Sequence, residues 1–263
     1  MSETDKVLSR VEGGVGTLTF NNPERRNAVS LDMWEAAAGI LEKFAGDSEV
    51  RVVVVTGAGG KAFVSGADIS RFGEERSTVE AIARYNASVE KANNAFYEFP
   101  KPTIAMIRGY CIGGGVGLAI CCDLRICSEN AKFGVPAAKL GLGYGYGGIK
   151  RLSDLVGPAF TKEIFFTARQ FDAEEARQMG LVNRVVPDAE LETFVQGYAD
   201  AIAGNAPLTV NAVKYIANQV YRPETERNLQ KAADMVSKCF ASKDYVEGRT
   251  AFMEKRKPVF TGT

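Results

Sequence analysis

An α/β fold is predicted by three features of this 263-residue chain. Residues 50–55 and 103–107 are β-branched, nearly unbroken apolar runs, the character of strands buried on both faces. Helical-period segments alternate with those runs. Beyond residue 190 the pattern changes to successive helices, so a β/α core over 1–190 and a helical region over 191–263 are expected.

Taken in order, residues 7–10 and 15–20 alternate in polarity around Gly13-Gly14 and predict an antiparallel hairpin. Asn21-Asn22-Pro23 ends it. Ser30 has the chemistry of a helix N-cap, and Leu31, Trp34, Ala38 and Leu41 follow at helical spacing. The run 50–55 then completes a β, α, β order. A glycine-rich loop over 57–66 leads into Ala67-Asp68-Ile69, and a helix is expected over 79–99, bounded by Pro100 and Pro102. The strand at 103–107 precedes Gly109 and Gly113-Gly114-Gly115, a helix over 116–122 and a short strand over 124–127. Gly141 to Gly148 is a second glycine-rich region. Asp172-Ala173-Glu174-Glu175 has the form of a capping box for a helix stopping at Gly180. Helices are expected over 191–203, 208–220 and 225–240.

Composition narrows the chemistry. With 46% hydrophobic residues the chain can bury a sizeable core. Lysine plus arginine equals aspartate plus glutamate at 32 each, so no global field favours nucleic acid or an anionic membrane, and neither is expected as a partner. Residues 1–5 lack the basic-then-apolar order of a secretory leader, and a cytoplasmic location is expected. Cys111, Cys121, Cys122, Cys127 and Cys239 form no CxxC pair, which argues against structural zinc and a disulfide framework, and no metal site is expected. There is no histidine at all. Ser-His and Cys-His nucleophile pairs and any histidine general base are therefore excluded, leaving carboxylates, tyrosine, lysine and backbone dipoles.

Two strand-to-helix junctions have glycine where a side chain would obstruct a ligand: Ser65-Gly66-Ala67-Asp68 and Gly113-Gly114-Gly115. First-turn N–H groups lack helical acceptors, and two of them aimed at one oxygen stabilise an enolate or a tetrahedral oxyanion. Each loop taken singly is better explained by a tight turn and close helix packing. A dinucleotide site is the weaker reading, because Gly113-Gly114-Gly115-Val116-Gly117 lacks the G-x-G-x-x-G spacing.

In order and spacing, Asn21-Asn22-Pro23-Glu24-Arg25-Arg26-Asn27-Ala28, Lys61-Ala62-Phe63-Val64-Ser65-Gly66-Ala67-Asp68-Ile69, Lys101-Pro102-Thr103-Ile104-Ala105 and Gly109-Tyr110-Cys111-Ile112-Gly113-Gly114-Gly115 resemble the crotonase superfamily, the enoyl-CoA hydratase/isomerase family. The likeness runs on through Cys122-Asp123, Ala131-Lys132-Phe133-Gly134, Gly180-Leu181-Val182 and the tail from Gly248 to Pro258. It implies a spiral of ββα units, acyl-CoA thioesters as substrates with coenzyme A as part of the substrate and no separate cofactor, and a homotrimer or dimer of trimers, with the helical region over 191–263 either closing over the core as a lid or packing on a neighbouring subunit. It also implies that the Ala67 and Gly114 N–H groups form the oxyanion hole. Arg26, Lys61, Ser65, Ala67 and Ile69 would line the CoA site, with Phe252 and Lys255 reaching its nucleotide end, often across a subunit boundary.

The chain departs from the family where hydratases carry two catalytic glutamates, which fall on Gly117 and Ala137. The aspartate of some isomerases falls near Gly145, also empty. Hydration needs groups that activate water and move a proton, each contributing about 100- to 10,000-fold. Decarboxylation of a malonyl-type thioester needs mainly enolate stabilisation, since departing carbon dioxide leaves the electrons behind. That reaction is the preferred expectation, with Tyr144 orienting the leaving carboxylate, because Leu140-Gly141-Leu142-Gly143-Tyr144 resembles a segment of methylmalonyl-CoA decarboxylases. Tyr144 and Tyr146 also read as aromatic plugs of a glycine-rich loop. Hydratase or isomerase chemistry would need an acid from an unmatched position, Glu74, Glu75 or Glu90, and a noncatalytic acyl-CoA binder is the third reading. Asp68 reads as a loop brace, and Cys121-Cys122 as buried packing.

Overall fold

The computed structural model describes residues 5–71, 73 and 77–263, together with the backbone of Ile69 but not its side chain. Phe72, Glu74 and Glu75 lie outside the described residues.

β1 (Val7–Glu12) and β2 (Val15–Phe20) form the expected hairpin, with Gly13 and Gly14 both at positive φ in the turn. α1 (Leu31–Gly46) follows. Ser30 occupies its N-cap, yet the hydroxyl bonds the Asp32 carboxylate and leaves the first-turn amides uncapped, a correction to the expected capping role. β3 is Val52–Gly57, two residues later than the apolar run predicts, and its first four residues are buried. The stretch read as a loop contains β4 (Ala62–Val64).

α2 (Val79–Tyr97), β5 (Thr103–Ile107), β6 (Tyr110–Ile112), α3 (Gly114–Ala119), β7 (Leu124–Ser128), β8 (Lys132–Gly134) and α4 (Ala137–Leu140) continue the repeat. From β3 onward the first strand of each ββα unit joins one sheet and the second strand joins another. The larger sheet runs β1-β2-β3-β5-β7-β10 and the smaller β4-β6-β8-β9. This is the spiral that the family resemblance implies.

The 22-residue α5 (Tyr146–Thr167) is missed by the sequence reading, because it opens on glycines and is kinked at Gly157-Pro158. β9 (Phe171–Asp172) leads into α6 (Ala173–Gln178), whose capping box is complete: Glu175 N–H donates to Asp172 and Asp172 N–H to Glu175. β10 (Arg184–Val186) closes the larger sheet beside β7.

The main core lies between the sheets and helices α1 and α2, around Trp34, Phe20, Phe63, Phe96 and Phe133, all essentially inaccessible. The opposite face of the large sheet is covered by α7 (Leu191–Ala203), whose Leu191, Val195, Ala199 and Ala203 meet Val52, Val54, Ile104 and Ile126. The packing of the sheet therefore crosses residue 190 and draws the first helix beyond it onto the core. α8 (Pro207–Val220), α9 (Leu229–Phe240) and α10 (Lys243–Glu254) follow; Lys214 of α8 donates to the Lys101 carbonyl at 2.9 Å and the Asp123 carboxylate at 2.8 Å, whereas α9 buries no residue within this chain. No helix among the described residues is long and apolar enough to cross a membrane.

Candidate active site

The two glycine junctions meet. A Cβ placed on Gly66 would lie 3.9 Å from the Gly114 nitrogen and 3.3 Å from the Ile112 carbonyl, so a side chain at this positive-φ position would crowd the ligand side of both loops. Gly115 permits the approach from the other direction: its α-carbon faces the Val64 carbonyl so closely that a Cβ would fall 2.1 Å from that oxygen.

Backbone pairing decides where the amides point. Val29 bridges Ala67 in the parallel sense, donating to Gly66 O at 2.8 Å and accepting from Asp68 N at 3.0 Å. In such a bridge the flanking residues supply the bonds, and the N–H of the central residue is directed away from the partner strand. The Ala67 N–H is therefore turned from Val29. Gly113 donates to Gly134 O, while Gly114, the first residue of α3, has no preceding helical carbonyl to bond. Neither the Ala67 nor the Gly114 N–H has an acceptor among the described residues. Two such donors on touching loops can share one oxygen and stabilise charge developing on it. Trp34, the chain's single tryptophan, packs beneath, its ring 3.6 Å from the Cβ position of Gly114.

Around this pair the structure gathers several of the predicted CoA-site residues. Ser65 N–H donates to Arg26 O at 3.2 Å, the Arg26 guanidinium lies 5.1 Å from the centre of the Tyr110 ring, and Tyr110 N–H donates to Lys61 O. Backbone bonds thus bring Arg26, Lys61 and Ser65 together beside Ala67. The Ile69 side chain lies outside the described residues. Phe252 and Lys255 stand apart on α10 and at its C-terminal end, where Phe252 is 86% exposed and lines an apolar groove with Val213, Ile216, Val236 and Phe240.

Asn27 is the residue that sequence reasoning overlooked. Fully buried, it donates from Nδ2 to Ala58 O at 2.9 Å and Ala62 O at 2.7 Å, and its Oδ1 accepts from Asn22 N–H at 2.9 Å. It pins the Arg26 loop to β4. The only signal in the chain is its place in the Asn22–Ala28 motif, which says nothing of these distant acceptors.

Asp68 braces its loop as expected. Its carboxylate accepts from Arg25 at 3.0 Å and from the Ser70 hydroxyl at 2.7 Å. Burial pushes its pKa up, but the hydrogen bonds from Ser70 and Arg25 outweigh this and hold it below the usual aspartate value. A depressed folded pKa contributes stability that is complete above the unfolded value of about 3.9 and is lost as pH falls through the lower folded value. Asp68→Asn is accordingly expected to lower the midpoint of thermal unfolding at neutral pH, with the gap from wild type closing on acidification through that window.

Neither acid position carries a carboxylate. Gly117 follows Gly114 by one helical turn on α3, and Ala137 is buried at the start of α4. Tyr144 sits just before α5 with its ring edge-on to Phe165, centroids 4.9 Å apart. Cys121 and Cys122 are buried, and burial pushes the Cys121 thiol up to about 11, which fits packing rather than reactivity.

Comparison with known proteins places the chain in a family. The family model for enoyl-CoA hydratase/isomerase matches residues 10–263. A short-chain-enoyl-CoA hydratase of Clostridium acetobutylicum is 38% identical over 255 residues, covering 97% of each chain. A crotonyl-CoA hydratase of Syntrophomonas wolfei is 38% identical over 256 residues, covering 97% of this chain and 98% of its own. Among solved structures, one titled an enoyl-CoA hydratase/carnithine racemase from Magnetospirillum magneticum superposes with a TM-score of 0.93 at 38% identity, covering 99% of this chain and 97% of that one. The spiral of ββα units and these matches define a crotonase-type acyl-CoA enzyme, and this chain belongs to the enoyl-CoA hydratase/isomerase family.

Proposed function

We propose that the protein adds water to, and removes it from, the α,β double bond of short acyl-CoA thioesters, holding the thioester oxygen between the Ala67 and Gly114 N–H groups. The observation that carries this reading is the meeting of two unpartnered backbone donors on touching loops. Water addition passes through an enolate whose charge gathers on that oxygen, so the donors act where charge develops. The relatives carrying hydratase names at 38% identity favour hydration over the decarboxylation that the sequence first suggests, and nothing in them supports the decarboxylase preference or the orienting role of Tyr144.

Arg26 and Lys61 neutralise CoA phosphates, Ser65, Ala67 and Ile69 flank the pantetheine arm, and Phe252 and Lys255 serve the nucleotide end from a neighbouring copy. The exposed apolar side chains of Val236, Phe240 and Phe252 support a trimeric or hexameric assembly in which that neighbour is supplied. CoA enters as part of the substrate, and no other cofactor is used.

The test is direct. Purified protein incubated with crotonyl-CoA is expected to give 3-hydroxybutyryl-CoA, followed by loss of the enoyl thioester absorbance. Carbon dioxide release from malonyl-, methylmalonyl- or ethylmalonyl-CoA without crotonyl-CoA hydration would overturn the proposal. So would tight binding of every thioester without turnover.

A further inference from the structure

A hydratase without glutamates at Gly117 and Ala137 needs its proton chemistry from elsewhere, and α2 faces the first vacancy. Asn93 lies on that helix with its Nδ2 4.0 Å from the position a Cβ would take on Gly117. Gly117 and Gly114 are three residues apart on α3, so they share a helix face, and the space beside Gly117 is one turn from an oxyanion donor. The Asn93 Oδ1 is buried and has no hydrogen-bond partner among the described residues. A buried amide oxygen left unbonded costs free energy, and it is an acceptor waiting for a donor.

Glu90 stands three residues earlier on the same helix, hence on the same face. Its Oε1 lies 3.9 Å from the Cβ position of Gly147, in the first turn of α5, so the carboxylate spans between α2 and the glycine-rich segment that follows α4. Among the described residues, other acids of the neighbourhood are committed: Asp68 to Arg25 and Ser70, Asp32 to Ser30 and Arg71. Glu90 has no ion pair among the described residues.

Resting on the hydratase reading, we infer that Glu90 is the acid-base carboxylate of this enzyme and that Asn93 positions the reacting water. Water donates one hydrogen bond to Asn93 Oδ1 and its other proton to the Glu90 carboxylate. The water oxygen forms a bond to the β carbon, the π electrons move onto the thioester oxygen held by Ala67 and Gly114, and the resulting enolate takes the proton from Glu90 at the α carbon. One H and one OH are added, and Glu90 returns to its carboxylate form. Asn93 exchanges no proton. A single carboxylate thus both receives and delivers, on a helix that does not carry the acids in the family pattern.

The experiment compares wild type with Glu90→Gln and Asn93→Ala, measuring crotonyl-CoA hydration against pH and, separately, binding of a saturated acyl-CoA through the fluorescence of Trp34. Glu90 is exposed, so its replacement leaves the core intact. Glu90→Gln is expected to lower kcat about 100-fold or more with unchanged binding. Asn93→Ala is expected to lower kcat about tenfold at unchanged KM, the loss of one hydrogen bond, with recovery in Asn93→Asp, which keeps an acceptor oxygen at the same reach. Wild-type hydration that survives Glu90→Gln within a factor of two or three overturns the Glu90 assignment while leaving the hydratase reading in place. Wild type that does not hydrate crotonyl-CoA removes the hydratase reading and the Glu90 role with it.

Discussion

Gly115→Ala is expected to destabilise the protein by about 3 kcal/mol or more and to cost at least about 100-fold in turnover of whatever enzyme remains folded. The added Cβ would sit 2.1 Å from the Val64 carbonyl oxygen and 3.0 Å from its carbon. Both are backbone atoms of β4, so no side-chain rotation relieves the overlap. α3 must retreat from β4 by about an ångström, a shift of the size that costs about 100-fold when it moves a catalytic group. The retreat carries the Gly114 donor away from the Ala67 donor. Chemical denaturation and hydration assays on the same preparation measure the two effects. Gly46→Ala is the control: at the end of α1 it has negative φ and nothing within 4 Å of the added carbon, and it is expected to be neutral or to stabilise by about 0.5 kcal/mol. Equal losses in the two variants would show that the close contact at Gly115 is not what constrains the site.

Asn27→Ala comes second, with an expected loss of about 3–5 kcal/mol. Three side-chain hydrogen bonds disappear, leaving the Ala58 and Ala62 carbonyls and the Asn22 amide short of a partner in the interior, at about 1–3 kcal/mol for each group left truly unsatisfied. Asn27 also has φ of 56°, a left-handed conformation that asparagine tolerates and alanine resists by about 1–2 kcal/mol. The two contributions separate experimentally. Asn27→Gly loses the same hydrogen bonds without the conformational cost, and it is expected to be about 1 kcal/mol less damaging than Asn27→Ala in urea unfolding. Because Arg26 precedes this residue and its carbonyl is bonded by Ser65, loosening the loop should raise KM for acyl-CoA more than it lowers kcat. Identical stabilities for the alanine and glycine variants would remove the left-handed backbone from the account.

How far the chain could be read in advance depends on the range over which each element is determined. The hairpin at Gly13-Gly14, the valine run of β3 and the Asp172–Glu175 capping box are local, formed by residues within a few positions of one another, and all three are present. β4, β6 and β8 are three residues each. They are too short for a period to show, and they exist only because they pair with one another across intervals of dozens of residues. α5 was hidden for a different reason, since glycine at its start and proline inside it argue locally against the helix that tertiary packing enforces.

At the site the division falls in the same way. The converging loops were legible because glycine is demanded wherever backbone must approach backbone, and glycine is visible in a sequence. So were the acids missing at Gly117 and Ala137, which the sequence by itself determined by showing hydrogen and methyl where carboxylates stand in the family pattern. Only the tertiary structure decided what faces those vacancies. Asn93 precedes Gly117 by more than twenty positions, and Glu90 precedes Gly147 by more than fifty, so no spacing rule connects them. They are brought together because α2 packs against α1 and reaches over α3, burying Ala92 and Phe96 and turning Asn93 toward Gly117. Local chemistry selects the backbone conformations, while the burial of apolar surface between distant segments selects which side chains share a pocket.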